Sequence, residues 1–281
     1  MKLLKYLPLF ALIFNCSSNN NDDTTLDATT YYQELDISYG NNTSQTFDLY
    51  LPANRTSNTK VLILVHGGGW SSGDKIDMNP IKDLIRQDLP NYAIANINYR
   101  LADSNNEPYP MQTEDISSVI SYLKNNKSNL IISDDYGFIG VSAGGHLSLL
   151  WSYKFNAESH IKMVCSIVGP TNLTDPEYLN NTDPDLQAML DLFGINPTLQ
   201  FLEEASPYYQ ATSSSPPTIL FYGGQDPLIP VSQGIDMRDK LISLGVTQEF
   251  TLYPDAGHSF SILDYVDTWT KLKAFIQVHL N

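Results

Sequence analysis

The sequence predicts an α/β protein, a mostly parallel twisted sheet with helices on both faces and a small cap insertion. Two observations carry that expectation. Short apolar runs alternate with longer stretches of helical periodicity, the pattern of strand–helix–strand units that bury both faces of a parallel sheet. A chain of 281 residues, 42% hydrophobic and 17% charged, can also enclose one large core without a second domain.

Taken in order, the chain starts with Lys2 and Lys5 ahead of an apolar run, Tyr6 to Phe14, too short to cross a bilayer as a mature helix. Residues 1–15 are read as a signal peptide and 16–30, rich in Ser, Asn, Asp and Thr, as a flexible acidic tether. Ile13-Phe14-Asn15-Cys16 resembles a bacterial lipoprotein signal in which Cys16 carries the lipid, although Asn15 stands where Gly, Ala or Ser is usual. The expectation is an exported bacterial protein, anchored in a membrane through Cys16 at the periplasmic or cell surface, or otherwise secreted. With Cys16 lipidated, Cys165 is the only remaining thiol and no intrachain disulfide forms. Its apolar surroundings mark Cys165 as a buried, inert strand residue.

The domain spans 31–281. Gln33 to Tyr39 and Gln45 to Leu51 alternate polar and apolar residues around Gly40-Asn41-Asn42, which predicts an opening antiparallel hairpin. Six strands follow: Val61 to Val65, Tyr92 to Asn98, Tyr136 to Ile139, Met163 to Val168, Thr218 to Tyr222 and Glu249 to Tyr253. Between most of them the spacing predicts helices over Ile81 to Gln87, Met111 to Asn125, Ala143 to Lys154 and Val231 to Leu244, with a last one over Ile262 to His279. Residues 171–204 break the alternation and form the cap insertion, with an amphipathic segment, Leu186 to Phe193, closed by Gly194 and Pro197. Sixteen Lys and Arg against 31 Asp and Glu give a net charge of −15, which repels phosphate backbones and argues against a nucleic-acid partner. The His, Cys, Asp and Glu residues show no metal-ligand spacing, and nothing calls for a cofactor.

Three motifs carry chemistry. Gly140-Val141-Ser142-Ala143-Gly144 places a serine on a sharp strand-to-helix turn, the exposed and rigid mounting that a weak hydroxyl nucleophile needs. His66-Gly67-Gly68-Gly69-Trp70, leaving the Val61 to Val65 strand, and the Ala143 turn can present the N–H groups of Gly68, Gly69 and Ala143 to an oxyanion. Asp226, just past its strand, and His258, in a loop able to fold back over the sheet edge, complete an orienter and a general base. Asp255 is a rival orienter by sequence proximity, but three residues of loop do not easily bring it to Nδ1 of His258. His66 is read as orienting its loop. Trp70 either lines the substrate pocket or packs beneath the loop. His146 lies on the elbow helix, pointing away from the position expected of a base, and His160 and His279 need no functional reading. A neutral His258 is required, so the rate should fall as pH drops through roughly 6 to 7.

From about Gln45 to Phe260 the chain resembles the alpha/beta-hydrolase fold carboxylesterases, most closely the bacterial acetyl xylan and feruloyl esterase branch. The resemblance rests on His66-Gly67-Gly68-Gly69-Trp70, Asn98-Tyr99-Arg100-Leu101, Gly140 to Leu147, Asp226 to Val231 and Tyr253-Pro254-Asp255-Ala256-Gly257-His258. It implies a Ser142, Asp226, His258 triad, oxyanion donors at Gly68, Gly69 and Ala143, and a structural ion pair between Arg100 and Asp115. It further implies hydrolysis of short acyl esters, acetyl or feruloyl groups on plant polysaccharide, with an ester as the partner molecule. A lipase or general esterase acting on lipid or small-molecule esters is the alternative. A non-catalytic binding protein on the same scaffold is the alternative of another class, and its usual mark, a lost triad residue, is missing.

Overall fold

The structure is a computed structural model that describes residues 26–180, 182–194 and 197–281. The signal segment and Cys16 lie outside these residues. Among the described residues, eight strands form one sheet in the order β1-β2-β4-β3-β5-β6-β7-β8. Strand β1 (Tyr32–Ser38) pairs antiparallel with β2 (Thr46–Leu51), the expected hairpin, and β2 pairs antiparallel with β4 (Ala93–Ile97). The remaining ladders are parallel, through β3 (Val61–Val65), β5 (Tyr136–Val141), β6 (Ile161–Ile167), β7 (Thr218–Gly223) and β8 (Gln248–Tyr253).

The all-apolar strands follow from burial on both faces. Along β3, Val61, Ile63 and Val65 join one core cluster while Leu62 and Leu64 join the other, as the two-residue period of a strand requires. The first cluster is covered by α2 (Pro108–Leu130), α3 (Ala143–Lys154) and α8 (Val231–Ser243) through residues such as Ile116, Leu147 and Met237. The second is covered by α1 (Asn79–Asp88) and α9 (Ile262–His279) through Ile85, Leu272 and Phe275. Each such side chain contributes about 1.5–3 kcal/mol on burial. Cys165 is fully buried among them, and burial raises its thiol pKa, so it stays protonated and unreactive.

Element boundaries shift by a residue or two from the sequence expectation in several places, and the largest difference is at the end of α2. Helix α2 is bounded at Pro108, but Tyr109 is extended (φ −109°, ψ 131°), so continuous helical backbone begins at Pro110, one residue ahead of the expected Met111. It runs on to Leu130, beyond Asn125, because Leu123 and Leu130 keep an apolar face through the polar run Asn125 to Asn129. Left-handed Ile131 ends it. At the other margin, residues 26–30 were expected in the flexible tether but are fastened to the domain. Leu26 N–H donates to Asn129 O (3.3 Å), Arg55 N–H to Ala28 O (3.2 Å) and Arg55 Nη1 to Thr30 O (3.0 Å).

The Arg100 and Asp115 pair is present. Nη2 and Nε of Arg100 lie 2.6 and 2.9 Å from Oδ1 of Asp115, whose side chain is 1% exposed and also accepts from Gln45 Nε2. It fastens the segment after β4 to α2, and removing one partner would strand a buried charge at a cost of about 3–5 kcal/mol. Among the described residues, the cap region holds three short helices, α4 (Pro176–Leu179), α5 (Pro184–Asp191) and α6 (Leu199–Glu204), before α7 (Pro207–Gln210) returns the chain to the sheet. Its root is fixed by buried Gln233, which accepts from the N–H groups of Thr171 and Asn172 and donates to Asn172 O and to Asp175 Oδ2.

Candidate active site

The carboxyl ends of β3, β5, β7 and β8 converge, and the chemical residues lie in the turns that leave them. Strand β5 reverses into α3 at Ser142, with φ 53° and ψ −123°, a left-handed conformation that a side chain tolerates only under strain. The reversal is tight enough to exclude side chains beside it. A Cβ on Gly144 would sit 2.1 Å from Val65 O, and one on Gly140 would sit 2.2 Å from Gly144 O. Ser142 is pinned by its own backbone, N–H to Ile167 O (2.8 Å) and C=O to His146 N–H (3.0 Å).

Beside it, His258 Nε2 lies 3.1 Å from Ser142 Oγ and His258 Nδ1 lies 2.8 Å from Asp226 Oδ2. The carboxylate is acceptor only, so Nδ1 carries the proton and Nε2 offers its lone pair to the serine. The side chain of Asp226 is fully buried, and its other oxygen accepts from the N–H groups of Leu228 (2.8 Å) and Ile229 (3.0 Å). The Asp226 and His258 loops are laced together by Gly224 N–H to Tyr253 O and Gln225 N–H to Ala256 O, both 2.8 Å. Asp255 is exposed and takes no part.

The glycine loop is fixed through its carbonyl groups. Gly67 O accepts from His66 Nδ1 (2.7 Å) and Tyr99 Oη (3.3 Å), and Gly68 O accepts from Ser72 N–H (2.9 Å) and Ser72 Oγ (2.7 Å). A trans peptide points its N–H opposite to its C=O, so these anchors also fix the directions of the Gly68 and Gly69 N–H groups. The Ala143 N–H is fixed in the same way by the bonded Ser142 carbonyl. Among the described residues none of these three N–H groups has an acceptor, and Gly68, Gly69 and Ala143 all line one cleft with Ser142 and His258. His66 is buried, stacked on Tyr99 at 4.2 Å, and held below its ordinary pKa by burial, so it is a neutral strut that donates from Nδ1.

The cleft has a volume of about 760 Å³ and mostly apolar walls. Met78, Ile81 and Leu84 form one side, and Tyr178, Leu186, Met189 and Leu190 of the cap form the other. Trp70 reaches the cleft but is 3% exposed, and its indole N–H donates to His146 Nδ1 (3.1 Å), so it lines the cleft and packs the loop at once. The sequence motifs included Tyr99 and His146 without showing what they do. Tyr99 holds two carbonyls of the glycine loop, and His146 is a fully buried junction. A buried polar side chain must find partners, and that requirement was the available signal.

This sheet order, elbow and loop arrangement define an alpha/beta-hydrolase. The chain matches the BD-FAE family model over residues 47–241, and it belongs to that family. Esterase LipC of Mycobacterium tuberculosis is 27% identical over 83% of this chain and 61% of its own length. The chain spans about half to three-fifths of the length of the first curated relatives it matches. Among solved structures, a truncated carbohydrate esterase from gut microbiota superposes with a TM-score of 0.70 at 20% identity, covering 87% of this chain and 97% of that one. An acetyl ester-xyloside bifunctional hydrolase from Caldicellulosiruptor lactoaceticus gives 0.67 at 21%, covering 83% and 88%. At these identities the structures establish the shared fold.

Proposed function

We propose that the protein is a serine carboxylesterase hydrolysing short acyl esters, with Ser142 as nucleophile, His258 as general base and Asp226 as its orienter. The observation that carries this reading is His258 bridging the two, 3.1 Å from the hydroxyl and 2.8 Å from the carboxylate. As Ser142 Oγ attacks the ester carbonyl, His258 Nε2 takes its proton, and the oxyanion is held by the N–H groups of Ala143, Gly68 and Gly69. His258 then protonates the departing alcohol. Water, deprotonated by the same nitrogen, attacks the acyl-enzyme and releases the acid and the serine.

Acetyl or feruloyl esters on plant polysaccharide are the favoured substrates, supported by BD-FAE membership and by structural likeness to a carbohydrate esterase and an acetyl ester-xyloside bifunctional hydrolase. The aliphatic walls, Met78, Ile81, Leu84, Leu186 and Leu190, favour a second reading, a general esterase for small lipophilic esters. Export with a lipid anchor on Cys16 suits a polymer substrate outside the cell, and the Cys16→Ala protein should then leave the membrane fraction. The deciding experiment measures acetate release from acetylated xylan and turnover of p-nitrophenyl acetate by the wild type and Ser142→Ala. Loss of both by at least ~10⁴-fold in the variant is expected. Cleavage of the small ester alone would leave the second reading, and no Ser142-dependent activity on either would overturn the esterase assignment.

A further inference from the structure

His146 joins three parts of the site that the chain itself keeps apart. Its backbone N–H closes the turn after Ser142 on Ser142 O (3.0 Å). Its Nδ1 meets the indole N–H of Trp70, next to Gly69 in the glycine loop, at 3.1 Å. Its Nε2 meets the carbonyl of Ala205, where α6 of the cap ends, at 2.7 Å. A carbonyl only accepts and an indole N–H only donates, so both bonds form together in one state alone, the neutral ring with its proton on Nε2. Complete burial favours that state by holding the imidazole pKa down to about 4.

The cap presses on the same junction from a second point. Phe193, which follows α5 and is 1% exposed, packs edge-on against the Trp70 ring at 4.9 Å and against His146 at 6.1 Å. Met189 of α5 fills the space a side chain on Gly69 would occupy, with its sulfur 2.8 Å from that Cβ position. On the far side, Trp70 O is held by Ala102 N–H (2.9 Å) and buried Gln112 Nε2 (2.7 Å). Both the indole and the carbonyl of the residue after Gly69 are therefore fixed, and one of the two anchors passes through His146 to the cap.

Building on the esterase reading, we propose that His146 is a positioning residue that holds the glycine loop in its oxyanion-binding geometry and links that geometry to the seating of the cap. It contacts no substrate. Its contribution is felt where negative charge develops, so weakening the junction lowers kcat and leaves KM nearly unchanged.

Two substitutions separate the hydrogen bond from mere packing. Asn places an amide oxygen close to the position of imidazole Nδ1 and can still accept from Trp70, whereas Leu cannot. With p-nitrophenyl acetate, His146→Leu is expected to lower kcat by roughly tenfold or more with KM within about twofold, and His146→Asn should recover much of the loss. Trp70→Phe, which keeps a ring and removes the donor, should resemble the Leu variant. Affinity for a trifluoromethyl ketone, whose hemiketal oxyanion mimics the transition state, should fall by the same factor as kcat. Unchanged kcat in folded Leu and Phe variants, or kcat no better in Asn than in Leu, would overturn the proposal while leaving the esterase reading intact. A wild type without Ser142-dependent turnover would overturn both.

Discussion

Around Ser142 the cleft presents a wall of backbone, whereas the cap opposite presents a wall of side chains. On the sheet side, Gly68, Gly69, Ser142 and Ala143 are set by carbonyl anchors and by approaches so close that Gly144 has no room for a methyl group. On the cap side, Leu186, Met189 and Leu190 meet the same space with flexible apolar groups on a short helix. The contrast separates two tasks. Groups that must meet a developing charge within tenths of an ångström are fixed by the main chain, which has few alternatives, whereas groups that only exclude water and fill volume can be exchanged.

The sharpest way to test this contrast is at the buried carboxylate. Asp226→Asn keeps the shape but not the charge or the tautomer preference, and kcat should fall about 10⁴-fold with KM little changed; a loss under tenfold would remove Asp226 from the site. Next, Gly144→Ala should lower unfolding free energy in urea by about 3 kcal/mol or more, because the methyl group meets strand backbone with nowhere to move. An unaffected midpoint would show that the elbow can relax.

The junction between the walls should respond to acid. Folded His146 titrates near 4 and an unfolded histidine near 6.5, so the unfolded chain binds the extra proton first. Its contribution is complete above pH 6.5 and lost between there and about 4, on the order of 3 kcal/mol. Urea midpoints of the wild type should therefore fall more steeply over that window than those of His146→Asn, and parallel slopes would show that another group dominates. The smallest effect belongs to the cap, where Met189→Ala should shift kcat/KM between acetyl and butyryl p-nitrophenyl esters by tenfold at most. A larger loss on acetyl ester itself would mean that the cap wall is as demanding as the backbone wall.

The backbone wall was also the part written most clearly in the sequence. Strand β3 occupies Val61–Val65 as its apolar run implies, and Ser142, Asp226 and His258 meet as their motifs implied, because a strained turn and a close approach leave few residue choices. The rival Asp255 was already disfavoured by its short loop separation from His258, and the lacing of two loops puts it outside the site. The role of His146 was not legible, since its partners Trp70 and Ala205 lie 76 and 59 positions away in the chain and no periodicity reports such a junction. The start of α2 was missed for a local reason. The span from Pro108 includes extended Tyr109, which no helical periodicity reports.

The anchoring of residues 26–30 has a geometric consequence. They attach beside Arg55 and Asn129, near the amino ends of β3 and β5, while Ser142 lies past the carboxyl end of β5, a strand length of about 17–20 Å further on. The described chain thus enters the domain at the floor of the molecule, at the end of the sheet away from the cleft. A label or tag placed ahead of residue 26 meets the domain at the opposite end from the serine.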